Sequence, residues 1–194
     1  MDECASSTPG GMAAALKLPF EAIEQVCSHY ENIYPVNYNC PGQLSCAGDK
    51  NEIPAFCAEI KSLGGRAVPL AVSGAFHTPY MRPASEALAK ALEGLTVSSP
   101  AIPLYSNRTA SQYPSEPNEI RSAVALQASS SVRWLDILRS LRLNGVDTFI
   151  EVGAGKTLSG FVSRTFPEEI ASGDVRVFNV SDTESLNATV EALR

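Results

Sequence analysis

Strand-like and helix-like patterns follow one another between Gly10 and Val72 in the order β-α-β-β-α-β. Two segments, beginning at Pro19 and at Lys50, repeat apolar residues at helical spacing. Four others have the apolar or alternating pattern of strands: MAAAL (12–16), YPVNYN (34–39), QLSCAG (43–48) and RAVPLAV (66–72). This order predicts a split β-α-β unit, with one sheet and both helices on one of its faces.

The remainder of the chain, residues 73–194, has a different rhythm. Its predicted strands are 102–107, 147–153 and 175–180, and its predicted helices are 83–94, 118–127, 131–144, 155–164 and 183–193. Strands that alternate with helices indicate a parallel sheet covered on both faces. Three strands are few for such a sheet. We therefore expect residues 10–72 to be an inserted ferredoxin-like subdomain, and residues 1–9 to end a helix of a preceding portion that supplies more strands.

Composition narrows the class of protein. The chain has 194 residues, of which 44% are hydrophobic, and a net charge of −6, which argues against a nucleic-acid surface. No apolar run reaches the roughly 18 residues of a membrane span, and the first residues lack a signal-peptide pattern, so we expect a cytoplasmic protein. The five cysteines form no CxxC pair, which favours buried thiols over a metal site.

Only two histidines are present, and one has a position that suggests chemistry. His29 follows a helical stretch rich in acidic residues and is expected at the surface. His77 lies in SGAFHTPYM, between a predicted strand and a predicted helix, at the edge where α/β proteins place ligands and catalytic groups. Histidine moves protons near neutral pH. A histidine that caps the next helix or is satisfied in the core fits the same position. The serine elbow G-x-S-x-G does not occur in these 194 residues.

Two further segments allow a binding role or a purely local one. DTFIEVGAGKTLSGF (147–161) combines a strand, a glycine turn and a helix, but has only part of a phosphate-loop pattern. A tight strand-to-helix turn explains it as well. NYNCPGQ (37–43) gathers Asn37, Asn39 and Gln43 around a Pro-Gly turn. Their amides suit a substrate carbonyl or carboxylate, or the hydrogen bonds of their own turn.

Seven segments together resemble the malonyl-CoA:acyl carrier protein transacylase family, which includes the acyltransferase domains of polyketide and fatty acid synthases. They run in the family's order through nearly the whole chain: GGMAAAL, PVNYNCPGQLSCAG, AVPLAVSGAFHTPYM, IPLYSNRTA, LQASSSVRW, FIEVGAGKTLSGF and NVSDTESLNATV. They correspond to the C-terminal two-thirds of the family. The resemblance implies an α/β fold, with residues 73–194 as part of an α/β-hydrolase-like core that carries the ferredoxin-like subdomain.

The resemblance also implies a reaction and a set of site residues. Family members move malonyl from coenzyme A to an enzyme serine, then to the phosphopantetheine thiol of acyl carrier protein, in fatty acid biosynthesis and without a cofactor. His77 matches the catalytic histidine, and Gln127 matches the residue whose main-chain carbonyl orients it. Asn39 and Gln43 match polar residues of the substrate cleft. Phe76 matches the residue that accompanies a preference for malonyl over methylmalonyl.

The chain also departs from the family pattern. The family's G-H-S-x-G serine and the arginine that pairs with malonate precede the matching segments, and Met1 matches a substrate-site methionine shortly after that arginine. We therefore expect the chain to be inactive alone, and to be poorly soluble or oligomeric. A non-catalytic module that docks carrier protein or coenzyme A, and a polyketide synthase acyltransferase domain, are the alternatives. Lys61, Arg66 and Arg82 are candidate carrier-protein contacts, or ordinary solvated charges.

Overall fold

A computed structural model describes all residues, 1–194, and is a mixed α/β structure. Its strands are β1 (Gly10–Leu16), β2 (Ile33–Cys40), β3 (Gln43–Asp49), β4 (Arg66–Pro69), β5 (Thr148–Val152) and β6 (Arg176–Val180). Its helices are α1 (Asp2–Ser7), α2 (Phe20–Cys27), α3 (Ile53–Ser62), α4 (Arg82–Glu93), α5 (Pro117–Leu126), α6 (Trp134–Leu143), α7 (Thr157–Thr165), α8 (Pro167–Ser172) and α9 (Thr183–Ala192). Short 3-10 helices span Pro79–Met81 and Gln127–Ser129. The chain groups into two compact units, residues 1–137 and 138–194.

The first four strands form one antiparallel sheet in the order β2-β3-β1-β4. β1 is central and apolar, and its register pairs Ala13 with Cys46 of β3 and with Pro69 of β4. Gly42, with a φ of 71°, makes the tight turn between β2 and β3 that a side chain would strain. The predicted β-α-β-β-α-β order of this region is confirmed, and its division from the rest of the chain at residue 73 stays a prediction.

Helices α2 and α3 cover one face of this sheet. Alternate residues of β1, Ala13 and Ala15, point to this side and are fully buried, as the period of two in a strand requires. α2 presents Ile23 and Val26 to the same core, while α3 presents Phe56. Small residues on the central strand let both helices approach the sheet closely, and the apolar area they remove from water stabilises the unit.

The opposite face of the sheet holds the segment that contains His77. Met12, Val36 and Ala47 are buried on this side against Ala75, and the rings of Tyr34, Phe76 and Tyr80 pack around them. A side chain at Gly10 would lie 2.3 Å from the backbone nitrogen of Ala75. A glycine at this end of β1 is therefore required for the close approach of residues 74–76.

Helices α4 and α5 pack against each other in the same unit. Ser85 is buried on α4, and Ile120 and Ala125 are buried on α5. The Arg121 guanidinium donates to the carbonyls of Leu92 and Leu95, at 3.1 and 2.8 Å, and so satisfies carbonyl groups at and just beyond the end of α4. The orientation of α4 against α5 is thereby fixed by hydrogen bonds as well as by packing.

The second unit is built on β5 and β6, which pair in parallel with Phe149 opposite Val177. Helix α7 contacts both strands and α9 contacts β6. Phe149 stacks on Phe166 with ring centroids 5.9 Å apart, and Phe161 and Val162 of α7 are buried. The parallel pairing that the alternation of strands and helices predicted is therefore present.

Two predictions on secondary structure are wrong, and one helix was not predicted. Residues 102–107 form no strand, because only Tyr105 makes an isolated bridge, to Gln112, and no strand pairs alongside the segment. The predicted strand at 66–72 ends at Pro69, the last residue that pairs with β1. The short helix α8 was not predicted. None of the helices has the length and apolar character needed to cross a lipid bilayer.

Candidate active site around His77

The backbone places His77 in a tight turn between the sheet and α4. His77 has a φ of 65°, in the left-handed region that few residues other than glycine adopt. Thr78, which is buried, donates to the Ala75 carbonyl at 2.6 Å and accepts from the Tyr80 N–H at 3.2 Å. Thr78 is therefore the N-cap of the following 3-10 helix, and the alternative that His77 caps it is wrong.

The imidazole of His77 is held at one nitrogen. Its Nδ1 lies 3.2 Å from the Gln127 carbonyl oxygen and 3.1 Å from the Ser130 carbonyl oxygen. Carbonyl oxygens only accept hydrogen bonds, so the neutral ring carries its proton on Nδ1. Nε2 then has the lone pair, makes no hydrogen bond within the chain, and belongs to a half-buried side chain. This arrangement suits a base that accepts a proton at Nε2.

The two carbonyls belong to a segment, residues 127–132, that is anchored on several sides. The Gln127 side chain donates to the Tyr113 hydroxyl at 2.6 Å, and Ser85 of α4 donates to the Ser129 hydroxyl at 2.8 Å.

The same segment is also bonded to β2. The Val132 N–H donates to the Val36 carbonyl at 2.7 Å. On β2, the Tyr38 N–H returns a bond to the Val132 carbonyl at 2.9 Å, and Ser131 bonds the Pro35 carbonyl at 3.0 Å.

The structure brings together His77 and Gln127 among the residues predicted for the site. Phe76 precedes His77 in the chain. It is partly buried and packs on the face of the sheet opposite α2 and α3. Asn39 is buried and donates to Ser45 at 3.4 Å, and Gln43 is half-buried at the start of β3. Met1 is exposed at the start of α1. No hydrogen bond links these last three to His77, so their roles in substrate binding stay predictions.

Asn37 contacts the segment that holds His77, which the sequence alone did not indicate. It bridges Val132 on the segment that holds His77, and its side-chain oxygen is buried without a hydrogen-bond partner. A buried amide oxygen of this kind is satisfied by a donor from outside the chain or by water. Ser130, Tyr113 and Ser85 were not identified from the sequence. The LQASSSVRW match contains Ser130, but nothing in a sequence pattern shows which carbonyl faces a ring.

The candidate carrier-protein contacts are exposed cations. Lys61 lies in the last turn of α3, Arg66 begins the neighbouring strand β4, and Arg82 begins α4. All three are exposed, and none forms an ion pair within the chain. They are therefore available to an acidic partner.

A carboxylate of β5 explains the structure of the glycine turn between β5 and α7. Glu151 accepts from the N–H groups of Leu158 and Ser159, at 3.1 and 2.7 Å, at the start of α7. Against partial desolvation, which opposes the effect, these donors hold the pKa of the Glu151 carboxyl below its usual value. A bound phosphate would need the same N–H donors, and Glu151 already occupies them. The geometry therefore supports a strand-to-helix turn and not a phosphate loop.

His29 and the cysteines are the other candidates that the sequence raised. His29 is exposed, as predicted, and bonds Glu59 at 2.7 Å, which together with a bond from Tyr30 keeps the pKa of Glu59 below its usual value. All five cysteines are buried, as expected, with the sulfurs of Cys27 and Cys46 3.6 Å apart. The chain contains no cluster of side chains with the arrangement of a metal site.

Comparison with known proteins gives one consistent family. The acyl transferase domain model matches residues 2–187. The chain is 36% identical to the malonyl CoA-acyl carrier protein transacylase of Haemophilus influenzae, over 100% of this chain and 61% of that protein. The crystal structure of the Clostridium perfringens transacylase superposes with a TM-score of 0.88 at 33% identity, covering 96% of this chain and 58% of that one.

A second similar structure contains a partner. It is a malonyl-transacylase in complex with its type II polyketide synthase acyl-carrier protein, with a TM-score of 0.89 at 29% identity, over 98% of this chain and 62% of that one. The chain thus spans about three fifths of the length of the proteins it matches. Since the family model covers almost all of its residues, the chain belongs to the acyl transferase domain family.

Proposed function

We propose that this chain supplies the general base and part of the substrate cleft of a malonyl-CoA:acyl carrier protein transacylase. The observation that carries the proposal is the pair of carbonyls at His77 Nδ1, which leaves Nε2 as the proton acceptor. The relatives that match over the full chain bear the same activity in their names.

In the first half-reaction, a serine hydroxyl would give its proton to His77 Nε2 as its oxygen attacks the malonyl thioester. The carbon–sulfur bond then breaks, and the coenzyme A thiolate takes the proton back from Nε2. In the second half-reaction, the phosphopantetheine thiol gives its proton to Nε2 as its sulfur attacks the malonyl ester. The ester carbon–oxygen bond then breaks, and the serine oxygen takes the proton back from Nε2. No cofactor takes part. The serine comes from outside these 194 residues, since they contain no G-x-S-x-G elbow.

The finer architecture fits the same proposal. The sheet order β2-β3-β1-β4, with both helices on one face, supports a ferredoxin-like subdomain. The parallel pair of β5 and β6, with helices α7 and α9, supports a part of an α/β-hydrolase-like core. His77 directly follows the first of these regions in the chain.

Substrate recognition is assigned to the residues that match the family's substrate site. Phe76 would fill the space that an α-methyl branch needs, and Asn39, Gln43 and Met1 would contribute to the cleft. The exposed cations Lys61, Arg66 and Arg82 would meet the acyl carrier protein. A polyketide pathway is a second candidate, because one similar structure holds a polyketide synthase carrier protein.

A chimera tests the proposal. In it, this chain replaces the part of the Haemophilus influenzae transacylase that it matches, and transfer of labelled malonyl from coenzyme A to acyl carrier protein is measured. We expect the chimera to be active and the chain alone to be inactive. The His77→Gln chimera should be slower by about 10²–10⁴-fold, which is the usual contribution of a general base.

His29→Gln is the matched control, because His29 is exposed and bonds only Glu59. It should transfer malonyl at the rate of the unmodified chimera. A folded but inactive chimera, or an His77→Gln variant that keeps its rate, would refute the proposal. Transfer by the chain alone would show that the external serine is not needed.

A further inference from the structure

The hydrogen bonds within the segment that orients His77 are not enough to fix its position. Residues 127–129 form a single 3-10 turn, whose hydrogen bond from the Ser130 N–H to the Gln127 carbonyl is 3.4 Å long. That length is beyond the usual range for a backbone bond. Two carbonyls 3.2 and 3.1 Å from one nitrogen therefore need support from elsewhere.

Tyr113 supplies one support. Its hydroxyl accepts a 2.6 Å hydrogen bond from the Gln127 side-chain amide, so Gln127 meets His77 through its main chain and Tyr113 through its side chain. Tyr113 itself is held by its N–H, which donates to the Leu104 carbonyl at 2.8 Å. The bond from the Ser106 N–H to the Ser111 carbonyl at 2.9 Å closes the loop between them.

Ser85 supplies a second support from a different element. It is buried on α4, eight residues along the chain from His77, and its hydroxyl donates to Ser129 at 2.8 Å. Ser129 lies between the two carbonyl-bearing residues, Gln127 and Ser130. Ser85 is the one buried residue of α4, and a buried serine whose side chain reaches another element indicates a specific role for that hydroxyl.

We propose that Tyr113 and Ser85 are positioning residues that hold the Gln127 and Ser130 carbonyls on His77 Nδ1, and so keep the proton on Nδ1 and the lone pair on Nε2. The inference deepens the proposed function, since the lone pair on Nε2 is what the proton transfer uses. Neither residue touches substrate. Each acts on the ring through the 127–130 segment alone.

Nitrogen NMR of the ¹⁵N-histidine-labelled chain tests this without any enzyme assay, because only His29 and His77 contribute signals. In the unmodified chain, the neutral form of His77 should carry its proton on Nδ1. Tyr113→Phe and Ser85→Ala should each lower the ratio of the Nδ1–H to the Nε2–H form by about five-fold, as expected for one lost neutral hydrogen bond. The His29 signals should not move.

Matched controls remove equivalent hydroxyls that bond nothing in the site. Tyr105→Phe acts on a tyrosine in the same loop, and Ser122→Ala acts on an exposed serine of α5. Both should leave the His77 ratio unchanged. Gln127→Met combined with Tyr113→Phe should be no worse than either alone, because both remove the same bond.

In the active chimera, Tyr113→Phe and Ser85→Ala should lower kcat while the KM for malonyl-CoA stays constant. An unchanged His77 ratio in both variants, with circular dichroism like that of the parent, would overturn the positioning role. It would leave the proposed function standing if His77→Gln still slows transfer by about 10²–10⁴-fold. A rise in KM together with a fall in kcat would also contradict it, because it would indicate a direct contact with substrate.

Discussion

His77 combines a costly backbone conformation with a fully occupied Nδ1. A left-handed φ in a residue other than glycine costs on the order of 1–3 kcal/mol and persists only where the surroundings impose it. Here the surroundings are the Thr78 cap on one side and the carbonyls of Gln127 and Ser130 on the other. Strain of this kind at the residue with the unbonded Nε2 supports a chemical role for the ring.

Phe76 gives a prediction at the same scale. In the chimera, Phe76→Ala should lower the preference for malonyl-CoA over methylmalonyl-CoA, measured as the ratio of kcat/KM values, by about 10–200-fold, since one methyl-sized contact contributes that much. The Phe76 ring also packs on the face of the sheet opposite α2 and α3, so the variant should be less stable as well.

Tyr80→Phe is the control for this change, because Tyr80 belongs to the same apolar cluster and keeps its ring. It should leave the preference unchanged. A Phe76→Ala variant with unaltered discrimination would remove Phe76 from the account of selectivity.

Site residues differ in how far the sequence revealed them. His77 and Gln127 were identified through the resemblance, and the geometry joins them as that resemblance implied. Ser130, Tyr113 and Ser85 were not, because their contacts link residues that are far apart in the chain and depend on which way a turn faces. Asn37 was grouped with Asn39 by sequence, and only the fold distinguishes the one that bridges Val132.

At the scale of elements, the start of α7 depends on a single carboxylate. Glu151 is the last residue but one of β5, and it accepts from two N–H groups that the helix cannot satisfy itself. Removing the charge with Glu151→Gln should lower the stability of the chain at neutral pH by about 1 kcal/mol, the usual contribution of a helix cap.

The pH dependence of this effect follows from the lowered pKa of Glu151. Its stabilising contribution is fully present above the unfolded-state value of about 4.3, and it is lost as the pH falls through the lower folded-state value. Thermal unfolding should therefore separate the parent from Glu151→Gln at neutral pH and bring them together in acid. Glu191→Gln, an exposed carboxylate on α9 without a side-chain hydrogen bond, is the control. Equal separation at all pH values would contradict the account.

Elements with their own periodic pattern were predicted well, and the main error is a strand-like segment that has no pairing partner. β1 to β3 and helices α2 to α5 lie within a few residues of the expected ranges. Residues 102–107 have a strand-like sequence but form no strand, since a strand exists only where another strand pairs with it. Composition cannot show whether such a partner is present.

At the scale of the whole molecule, large apolar side chains are exposed in both units. Ile102 is 76% exposed in the first unit, and Leu143 and Val152 are 89% and 78% exposed in the second. The chain also spans only about three fifths of its relatives. Apolar surface of this extent marks an interaction site or an aggregation hazard.

We therefore expect the chain alone to associate with itself. Light scattering during size-exclusion chromatography should give a mass that rises with concentration and exceeds that of one chain. Ile102→Thr with Val152→Thr should reduce the effect, and the chimera should be closer to monomeric. A single monomeric species at all concentrations would show that these side chains do not drive association.

The most direct test of His77 as the base is the acylation step itself. In a single turnover of the chimera with malonyl-CoA, release of coenzyme A reports formation of the malonyl ester before any carrier protein is present. We predict that His77→Gln slows this burst by about 10²–10⁴-fold, while the affinity for malonyl-CoA is retained. A burst of unchanged rate in the His77→Gln variant would contradict the account.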